Sequence, residues 1–332
     1  MIRVGIVGTG YAAKTRVRAF EDDRRSQVLK VAGRSAERAD WFAKEYGLKA
    51  VGDWQSLVED DEIDLVVVAT VSSLHGDVVQ AALEANKDVV VEYPLSLDLA
   101  QAERLVAIAR ARQRLLHIEH IELLGGLHQA MKAYLPRIGT PSYANYRTIN
   151  VVRPAPLKWT YQLDLFGFPF CGALSRVHRM TQLFGSVSSV DCCTRIVRSE
   201  KNSDYFSSAL SSARLQFKSG LVAELTYGKG DGFWVGRRTV EIQGRLGALV
   251  FDRNEGNLVT AEGTESIAVK PRKGLFAKDT QGVLDYLTEG APLYVNPGES
   301  LYALRVGDAL RRASESGETV CVEDTMDVVK LF

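Results

Sequence analysis

The sequence predicts an α/β chain with a doubly wound parallel sheet first and then an α+β domain with a large, mostly antiparallel sheet. Short apolar runs alternate with helical patterns up to Glu119, as in parallel sheets with crossover helices. After Pro136 and Pro141 the chain becomes rich in strand and turn signals. The length of 332 residues suggests two domains, which we place at residues 1–121 and 122–332.

Composition and charge exclude several classes of protein. The 41 basic and 41 acidic side chains cancel, which gives no general drive toward nucleic acid or anionic lipid. No apolar run reaches the roughly 18 residues of a membrane span, and no signal segment precedes the first strand. The four cysteines lack metal-ligand spacing and indicate reduced thiols. We expect a cytoplasmic protein with no metal site and no nucleic-acid or membrane partner, and the sequence leaves open whether it forms a homo-oligomer.

The first domain shows five apolar runs that predict parallel strands. They are Ile2–Val7, Val28–Ala32, Leu65–Ala69, Asp88–Glu92 and Leu115–Glu119. Between them, Leu99–Arg112 gives the clearest helical spacing of apolar residues.

The second domain follows a helix predicted over about Ile121–Leu135. Its predicted strands are Ser142–Val152, Val190–Val197, Ser208–Phe217, Leu221–Tyr227, Thr239–Gln243 and Ala248–Phe251. Lys218–Gly220 and Arg245–Gly247 predict hairpin turns. Helical patterns recur near Ala173–Phe184, Asp279–Thr288 and Glu299–Ser316.

The first strand leads into Gly8-Thr9-Gly10-Tyr11-Ala12-Ala13, which matches G-x-G-x-x-A at the start of a helix. Gly8 allows the tight turn, Gly10 lets the backbone approach a pyrophosphate, and Ala13 lets the helix close on the strand. Free N–H groups and the positive end of the helix dipole then face the phosphates. The pattern predicts a dinucleotide site in a Rossmann domain.

The end of the second predicted strand indicates which nucleotide binds. An NAD site usually carries an acid there, which accepts the ribose 2′-hydroxyl. This chain has Gly33-Arg34-Ser35 instead. A guanidinium and a hydroxyl suit a 2′-phosphate, so we expect NADPH, with NADH weaker. The alternative is that Arg34 is a solvated loop arginine.

Three stretches resemble the glucose-fructose oxidoreductase and inositol dehydrogenase family, and the resemblance covers nearly the whole chain. They are Gly8–Ala13, Ile63–Thr70 with His75 after it, and Glu92-Tyr93-Pro94. The resemblance implies a Rossmann domain and an open sheet that forms the substrate pocket beneath the nicotinamide. It also implies that Thr70, His75 and Glu92 lie near the cofactor, with His75 in a structural role.

The chain departs from this family at the residues that remove protons in its sugar dehydrogenases. Those enzymes read E-K-P where this chain has Tyr93 in the middle, and their later aspartate and histidine correspond to Arg176 and Met180. Oxidising a carbinol requires a base, and an arginine stays protonated. A fixed cation instead suits a conjugated acceptor that gains negative charge as hydride arrives, which predicts a reductase.

One branch of the family, the bilin reductases of the cyanobacterial type, is similar at these departures. The stretches that carry this similarity are Arg3–Ala13, Asp23–Gln27, Glu92–Leu95, His117–Gly126, Trp159–Tyr161, Phe166–Pro169, Leu174–Arg176 and Gly274–Phe276. The similarity implies that NADPH reduces the central methine bridge of biliverdin IXα, an open-chain tetrapyrrole, to give bilirubin. It implies catalytic positions at Arg176, Tyr93 and Glu92, with Tyr93 serving mainly as an aromatic wall.

The same similarity suggests the residues that contact the substrate. They are Tyr93, Glu119, His120, Phe168, Arg176 and Arg179, of which Arg179 equally suits a solvated face. His117 and His120 face opposite sides of a strand, which argues against a two-histidine metal site. His128 is expected at the surface.

Several alternatives remain open. Residues 229–238 either cover a tetrapyrrole or form a solvated hairpin tip, and the basic residues 270–273 are expected at the exterior. Arg176 either serves the substrate or pairs with a carboxylate at a helix start. The whole chain could instead be an oxidoreductase of sugars, polyols or dihydrodiols, or a non-catalytic nicotinamide-binding regulator.

Overall fold

A computed structural model describes residues 1–323 and groups them into two compact units. The first unit contains Met1–Ile121 and Gly274–Leu301, and the second contains Glu122–Lys273 and residues 302–323. The first stretch of the first unit also ends at residue 121, whereas Gly274–Leu301, which falls within the predicted second segment 122–332, belongs to the first unit. That residues 1–121 and 122–332 form two separate domains stays a prediction.

The first unit is built on a parallel sheet of six strands within residues 1–323. In chain order these strands are β1 (Ile2–Val7), β2 (Ser26–Ala32), β3 (Lys49–Ala50), β4 (Leu65–Val68), β5 (Asp88–Glu92) and β6 (Leu116–Glu119). Their spatial order is β3-β2-β1-β4-β5-β6, the doubly wound order of dinucleotide-binding domains. All four residues of β4 are fully buried, as expected for a strand with helices on both faces of its sheet. The predicted fold class of this half is confirmed.

Both units contain helices, including ones at the segments predicted near Leu99–Arg112, Ala173–Phe184, Asp279–Thr288 and Glu299–Ser316. They are α1 (Tyr11–Glu21), α2 (Ala36–Tyr46), α3 (Trp54–Val58), α4 (His75–Glu84), α5 (Leu99–Ala111), α6 (Gly126–Tyr134), α7 (Leu163–Phe166), α8 (Pro169–Gly172), α9 (Ser175–Phe184), α10 (Leu275–Glu289) and α11 (Pro297–Ser316). Val283 and Leu284 of α10 pack into the same core as Val17 and Phe20 of α1, which ties the returning segment to the first unit.

The second unit contains a sheet of nine strands within the described residues. They are β7 (Pro141–Val151), β8 (Val187–Arg198), β9 (Phe206–Phe217), β10 (Val222–Gly230), β11 (Arg237–Gly244), β12 (Gly247–Asp252), β13 (Glu255–Thr260), β14 (Gly263–Ala268) and β15 (Val320–Cys321). The spatial order is β14-β13-β12-β11-β7-β10-β9-β8-β15. The neighbours β7 and β10 are parallel, and the other neighbouring strands of this sheet pair antiparallel. The predicted, mostly antiparallel second sheet is confirmed.

The structure differs from the sequence prediction at several places in this unit, among them two strands and one helix. The strands β13 and β14 were not predicted, because they lie toward one edge of the sheet and carry too few buried apolar residues to form a recognisable run. The helix predicted over Ile121–Leu135 is instead a short 3₁₀ turn followed by α6, which starts at Gly126. A Cβ on Gly126 would lie 2.2 Å from the Lys270 carbonyl oxygen, so this close approach requires a glycine.

Within residues 1–323, no helix combines the length and the apolar character needed to cross a bilayer.

Candidate functional site

The glycine-rich turn after β1 has the shape that a pyrophosphate requires. Gly8 adopts φ +132°, and a Cβ there would lie 2.2 Å from the Ala69 carbonyl oxygen. A Cβ on Gly10 would meet no atom within 4 Å, because this residue faces open space. Gly10 caps α1 without a side chain, so the first N–H groups of the helix remain available for an anion. These features fit a dinucleotide at Gly8, Thr9, Gly10, Tyr11 and Ala12.

The turn after β2 presents the predicted cation. Arg34 is exposed and makes no ion pair within residues 1–323, and Ser35 caps α2 by accepting a hydrogen bond from the Arg38 N–H. Gly33 allows this turn to lie close to the glycine loop, because a Cβ there would lie 3.1 Å from the Thr9 methyl group. The residues fit a 2′-phosphate better than a bare ribose hydroxyl, because no carboxylate occupies this position.

His75 holds two loops of the first unit together. Its Nδ1 lies 2.7 Å from the Pro94 carbonyl oxygen, and its Nε2 lies 3.4 Å from the Thr70 carbonyl oxygen. The ring is 1% exposed, and burial lowers its pKa. A neutral imidazole that bonds to backbone groups fits the predicted structural role, and it fixes the segments that follow β4 and β5.

The sequence analysis missed a buried network centred on Asp279. This fully buried carboxylate accepts hydrogen bonds from the Tyr294 hydroxyl at 2.6 Å and from His117 Nε2 at 2.8 Å, and it pairs with Arg16. Burial alone would raise its pKa, but Arg16 and His117 hold the pKa of Asp279 well below its usual range. One signal was available, because Asp279 falls on the buried stripe of α10 with Leu275 and Val283.

Arg16 connects this network to the predicted catalytic acid. Its guanidinium is fully buried, donates from Nε to Glu92 Oε1 at 3.1 Å, and donates from Nη1 to Thr280 Oγ1 at 3.1 Å. Glu92 ends β5, so the cation fixes a carboxylate at the carboxyl edge of the sheet, where functional groups of such folds gather. Glu92 is therefore part of an ion pair in the first unit.

Glu92 and Glu119 form a carboxyl pair across neighbouring strands. They occupy partnered positions of β5 and β6, and their side chains hydrogen-bond to each other. Burial raises the pKa of Glu119 well above its usual value, and the negative charges of Glu92 and Asp279 raise it further. These effects favour the protonated form of Glu119, and its Oε1 accepts a hydrogen bond from the Ile121 N–H at 2.6 Å.

Tyr93 and His120 form the aromatic part of this edge. Their rings stack with centroids 5.4 Å apart and planes 5° apart. His120 is 1% exposed and lies 2.8 Å from Ser300 Oγ through its Nε2, whereas His117 bonds to Asp279. Tyr93 is only partly buried, so it presents an aromatic face, and His120 supports it from behind. The substrate contacts predicted for Glu119 and His120 remain a prediction.

In the second unit, Arg176 begins α9 beside an aromatic ring. Its guanidinium carbon lies 4.7 Å from the centroid of Tyr227, and Nη1 donates to Ser175 Oγ at 3.2 Å. The side chain is partly exposed. Met180, which replaces the family's histidine, is fully buried and cannot serve as a base. The arrangement provides a fixed cation that an aromatic face orients.

Lys229, two residues beyond Tyr227 on β10, lies in a cage of aromatic rings. Its Nζ is 4.3 Å from the centroid of Tyr161 and 4.2 Å from that of Phe166, and it donates to the Thr160 carbonyl. Burial lowers the pKa of Lys229 to about 7, and the nearby Arg176 contributes to the shift. At neutral pH this amine therefore exchanges protons readily, unlike Arg176.

Three further predicted positions lie in the second unit. Phe168 precedes α8 and is partly buried, with its ring centroid 6.4 Å from that of Phe170. Arg179 is 1% exposed, so the alternative of a solvated face is wrong. The surface position expected for His128 is also wrong, because this residue is buried against Gln182 at 2.9 Å. Both residues lie on amphipathic helices whose buried faces include polar groups, which periodicity alone does not distinguish.

Comparisons with known proteins agree with this architecture. The model of the GFO/IDH/MocA oxidoreductase family, NAD-binding Rossmann fold, matches residues 2–120, and the family's C-terminal alpha/beta domain matches residues 136–322. A crystal structure of biliverdin reductase from Synechocystis sp., in complex with biliverdin and NADP+, is similar with a TM-score of 0.92 and 47% identity. The match covers 95% of this chain and 99% of that chain. The resemblance that the motifs indicated is confirmed.

Other similar proteins include two further reductases and a dehydrogenase. A dTDP-3,4-didehydro-2,6-dideoxy-alpha-D-glucose 3-reductase from Actinomadura kijaniata is 29% identical over 76% of this chain and 75% of that protein. Biliverdin reductase A from Mus musculus is 29% identical over 56% of this chain and 59% of that protein. A levoglucosan dehydrogenase structure with NADH and levoglucosan, 18% identical over 97% of this chain and 99% of that chain with a TM-score of 0.83, shares the fold.

Replacing Asp279 with alanine should destabilise the protein strongly. The change leaves Arg16 buried without its main counter-charge, and breaking such a pair costs about 3–5 kcal/mol. Asp285→Ala on the same helix is the matched control, because Asp285 forms a partly exposed ion pair with Arg25 and should cost less than about 1 kcal/mol. Urea unfolding of the three proteins measures both values, and equal losses would contradict the network described above.

Gly10→Ala should weaken nucleotide binding while leaving the fold intact. Its φ of −88° suits alanine and its Cβ would face open space, so the stability cost should be below about 1 kcal/mol. The methyl group would occupy the approach of the pyrophosphate, and we expect at least about a tenfold rise in the Kd for NADPH. Fluorescence titration and thermal unfolding test the two parts. Unchanged affinity would rule out this turn as the phosphate site, and Gly8→Ala should instead damage folding.

Proposed function

We propose that this chain, which belongs to the GFO/IDH/MocA family of oxidoreductases, reduces biliverdin IXα to bilirubin with NADPH. The observation that carries the proposal is its similarity, over nearly the whole length, to the Synechocystis enzyme that was crystallised with biliverdin and NADP+. When bound, NADPH supplies a hydride to the central methine bridge, and a proton goes to a pyrrole nitrogen, so that NADP+ and bilirubin result.

The cationic residues of the second unit suit this reaction. Arg176 stays protonated at any pH of interest and has several donors, so it can stabilise the negative charge that develops on a conjugated acceptor. Tyr227 fixes its orientation through the ring contact at 4.7 Å. Lys229, with a pKa of about 7, supplies an exchangeable proton near Arg176. No residue needs to remove a proton from an alcohol.

The first unit supports the choice of cofactor. Gly8 and Gly10 admit the pyrophosphate, and the exposed Arg34 supports NADPH over NADH by pairing with the 2′-phosphate. Glu92 and Glu119 hydrogen-bond to each other at the carboxyl edge of the sheet, burial raises the pKa of both carboxyl groups, and Tyr93 adds an aromatic wall there. We assign Thr70 and His75 to the support of this edge.

A sugar reductase is the second candidate, because a dTDP-sugar 3-reductase matches three quarters of the chain. That reaction also adds hydride, but to a carbonyl carbon, and it would require a group that protonates the resulting alkoxide.

Visible spectroscopy with NADPH tests the proposal. The wild-type chain should convert green biliverdin to yellow bilirubin, and NADH should support a slower rate. Arg176→Ala should lower kcat by about a hundredfold, the usual effect of removing one group that stabilises developing charge. Arg176→Lys keeps the charge but loses the fork of donors, so it should retain more activity than the alanine variant.

Two results would contradict this proposal. One is an unchanged biliverdin spectrum with full NADPH occupancy, and the other is reduction of NADP+ when a polyol is supplied. If Arg176→Ala turned over biliverdin as fast as the wild type, the proposed reaction would stand but Arg176 would have no role in it.

A further inference from the structure

Glu122 forms ion pairs with three arginines that come from separate segments of the second unit. Its Oε2 lies 3.0 Å from Arg179 Nη2 and 3.5 Å from Arg238 Nη2, and its Oε1 pairs with Arg272. Arg179 lies on α9, Arg238 on β11, and Arg272 after β14. We call these four residues the Glu122 cluster. Two of its arginines come from segments singled out above, Arg238 from residues 229–238 and Arg272 from the basic residues 270–273.

The cluster carries more positive than negative charge. Three guanidinium groups face one carboxylate, which leaves an excess of two positive charges. Arg176 adds to this field, because it also contributes to lowering the pKa of Glu122. The same positive charges act on the Tyr146 hydroxyl. Burial alone would raise the pKa of Tyr146, but Arg179 and Arg176 lower it. The chain as a whole has no net charge, so this excess is a local feature.

One arginine of the cluster is buried, and the other two are partly exposed. Arg179 is buried, donates from Nη1 to the Tyr146 hydroxyl at 2.7 Å, and has a buried Nε without a partner. The side chains of Arg238 and Arg272 are 28% and 49% exposed. Glu122 therefore pairs with one buried guanidinium group and with two that remain partly exposed.

We propose that Arg238 and Arg272, aligned on Glu122, bind the propionate carboxylates of an open-chain tetrapyrrole. This inference rests on the proposed function and adds to it the group by which the substrate is recognised. Guanidinium and carboxylate groups match in planar, bidentate hydrogen bonds, and a propionate would relieve the repulsion among the arginines. A neutral pigment of the same shape would leave that repulsion in place.

Binding of biliverdin IXα and of its uncharged dimethyl ester tests this proposal without requiring turnover. Quenching of tryptophan fluorescence, with saturating NADP+ and the same cosolvent throughout, gives the Kd of each pigment. Wild type should bind the diacid roughly tenfold tighter than the ester, the usual effect of a hydrogen bond to a charged group. Arg272→Gln and Arg238→Gln should each reduce this ratio severalfold by weakening binding of the diacid alone.

Arg137→Gln is the matched control. Arg137 is also 49% exposed and also pairs with a glutamate, Glu265, but it lies outside the Glu122 cluster. It should keep the wild-type ratio. Because Arg238 and Arg272 come from different segments, a folding defect in one variant still leaves the other to decide the question.

Three outcomes would overturn the inference. They are a wild-type protein that binds both pigments equally or binds neither, variants that keep the wild-type ratio, and variants that lose affinity for NADPH instead, which would assign the arginines to a nucleotide phosphate. Selective binding of the diacid without reduction would support the inference while contradicting the proposed function.

Discussion

The buried carboxylate of Asp279 is the constraint on which the first unit depends. A charge without access to water persists only where hydrogen bonds and opposite charge replace solvation, and Arg16, His117 and Tyr294 provide both. Arg16 then extends to Glu92 at the end of β5. One anion on the returning helix α10 thereby fixes the carboxyl edge of the parallel sheet.

Glu119 in the first unit and Arg176 and Lys229 in the second differ in how readily they lose a proton. Burial and the neighbouring carboxylates raise the pKa of Glu119 well above its usual value, whereas Arg176 keeps its charge under all relevant conditions. Lys229 lies between these extremes, with a pKa of about 7. For the reduction that we propose, the fixed charge of Arg176 and the exchangeable proton of Lys229, both in the second unit, suit stabilisation of charge and delivery of a proton.

Much of the fold was predictable because apolar runs and turn residues report burial directly. The strands from Ile2, Leu65 and Asp88 were located within a residue of their ends, and Gly8 was identified from the needs of the turn. The edge strand β14 and its neighbour β13 were not predicted, because strands with exposed residues need few apolar side chains. The return of Gly274–Leu301 to the first unit depends on long-range packing, which local patterns do not encode.

The site was less predictable than the fold. Family positions pointed to Arg176 and Tyr93, but the Asp279 network and the Glu122 cluster join residues more than a hundred positions apart. The position of Asp279 among apolar residues on one face of its helix indicates that it is buried. His128 also lies on the buried face of a helix, although it was expected at the surface.

Transfer of deuterium tests the central claim most directly. Biliverdin IXα incubated with the chain and NADPH carrying deuterium at the transferable C4 position should give bilirubin that holds one deuterium on the central bridge carbon, as read by NMR and mass spectrometry. Pigment without the label, or with the label on another carbon, would contradict the account.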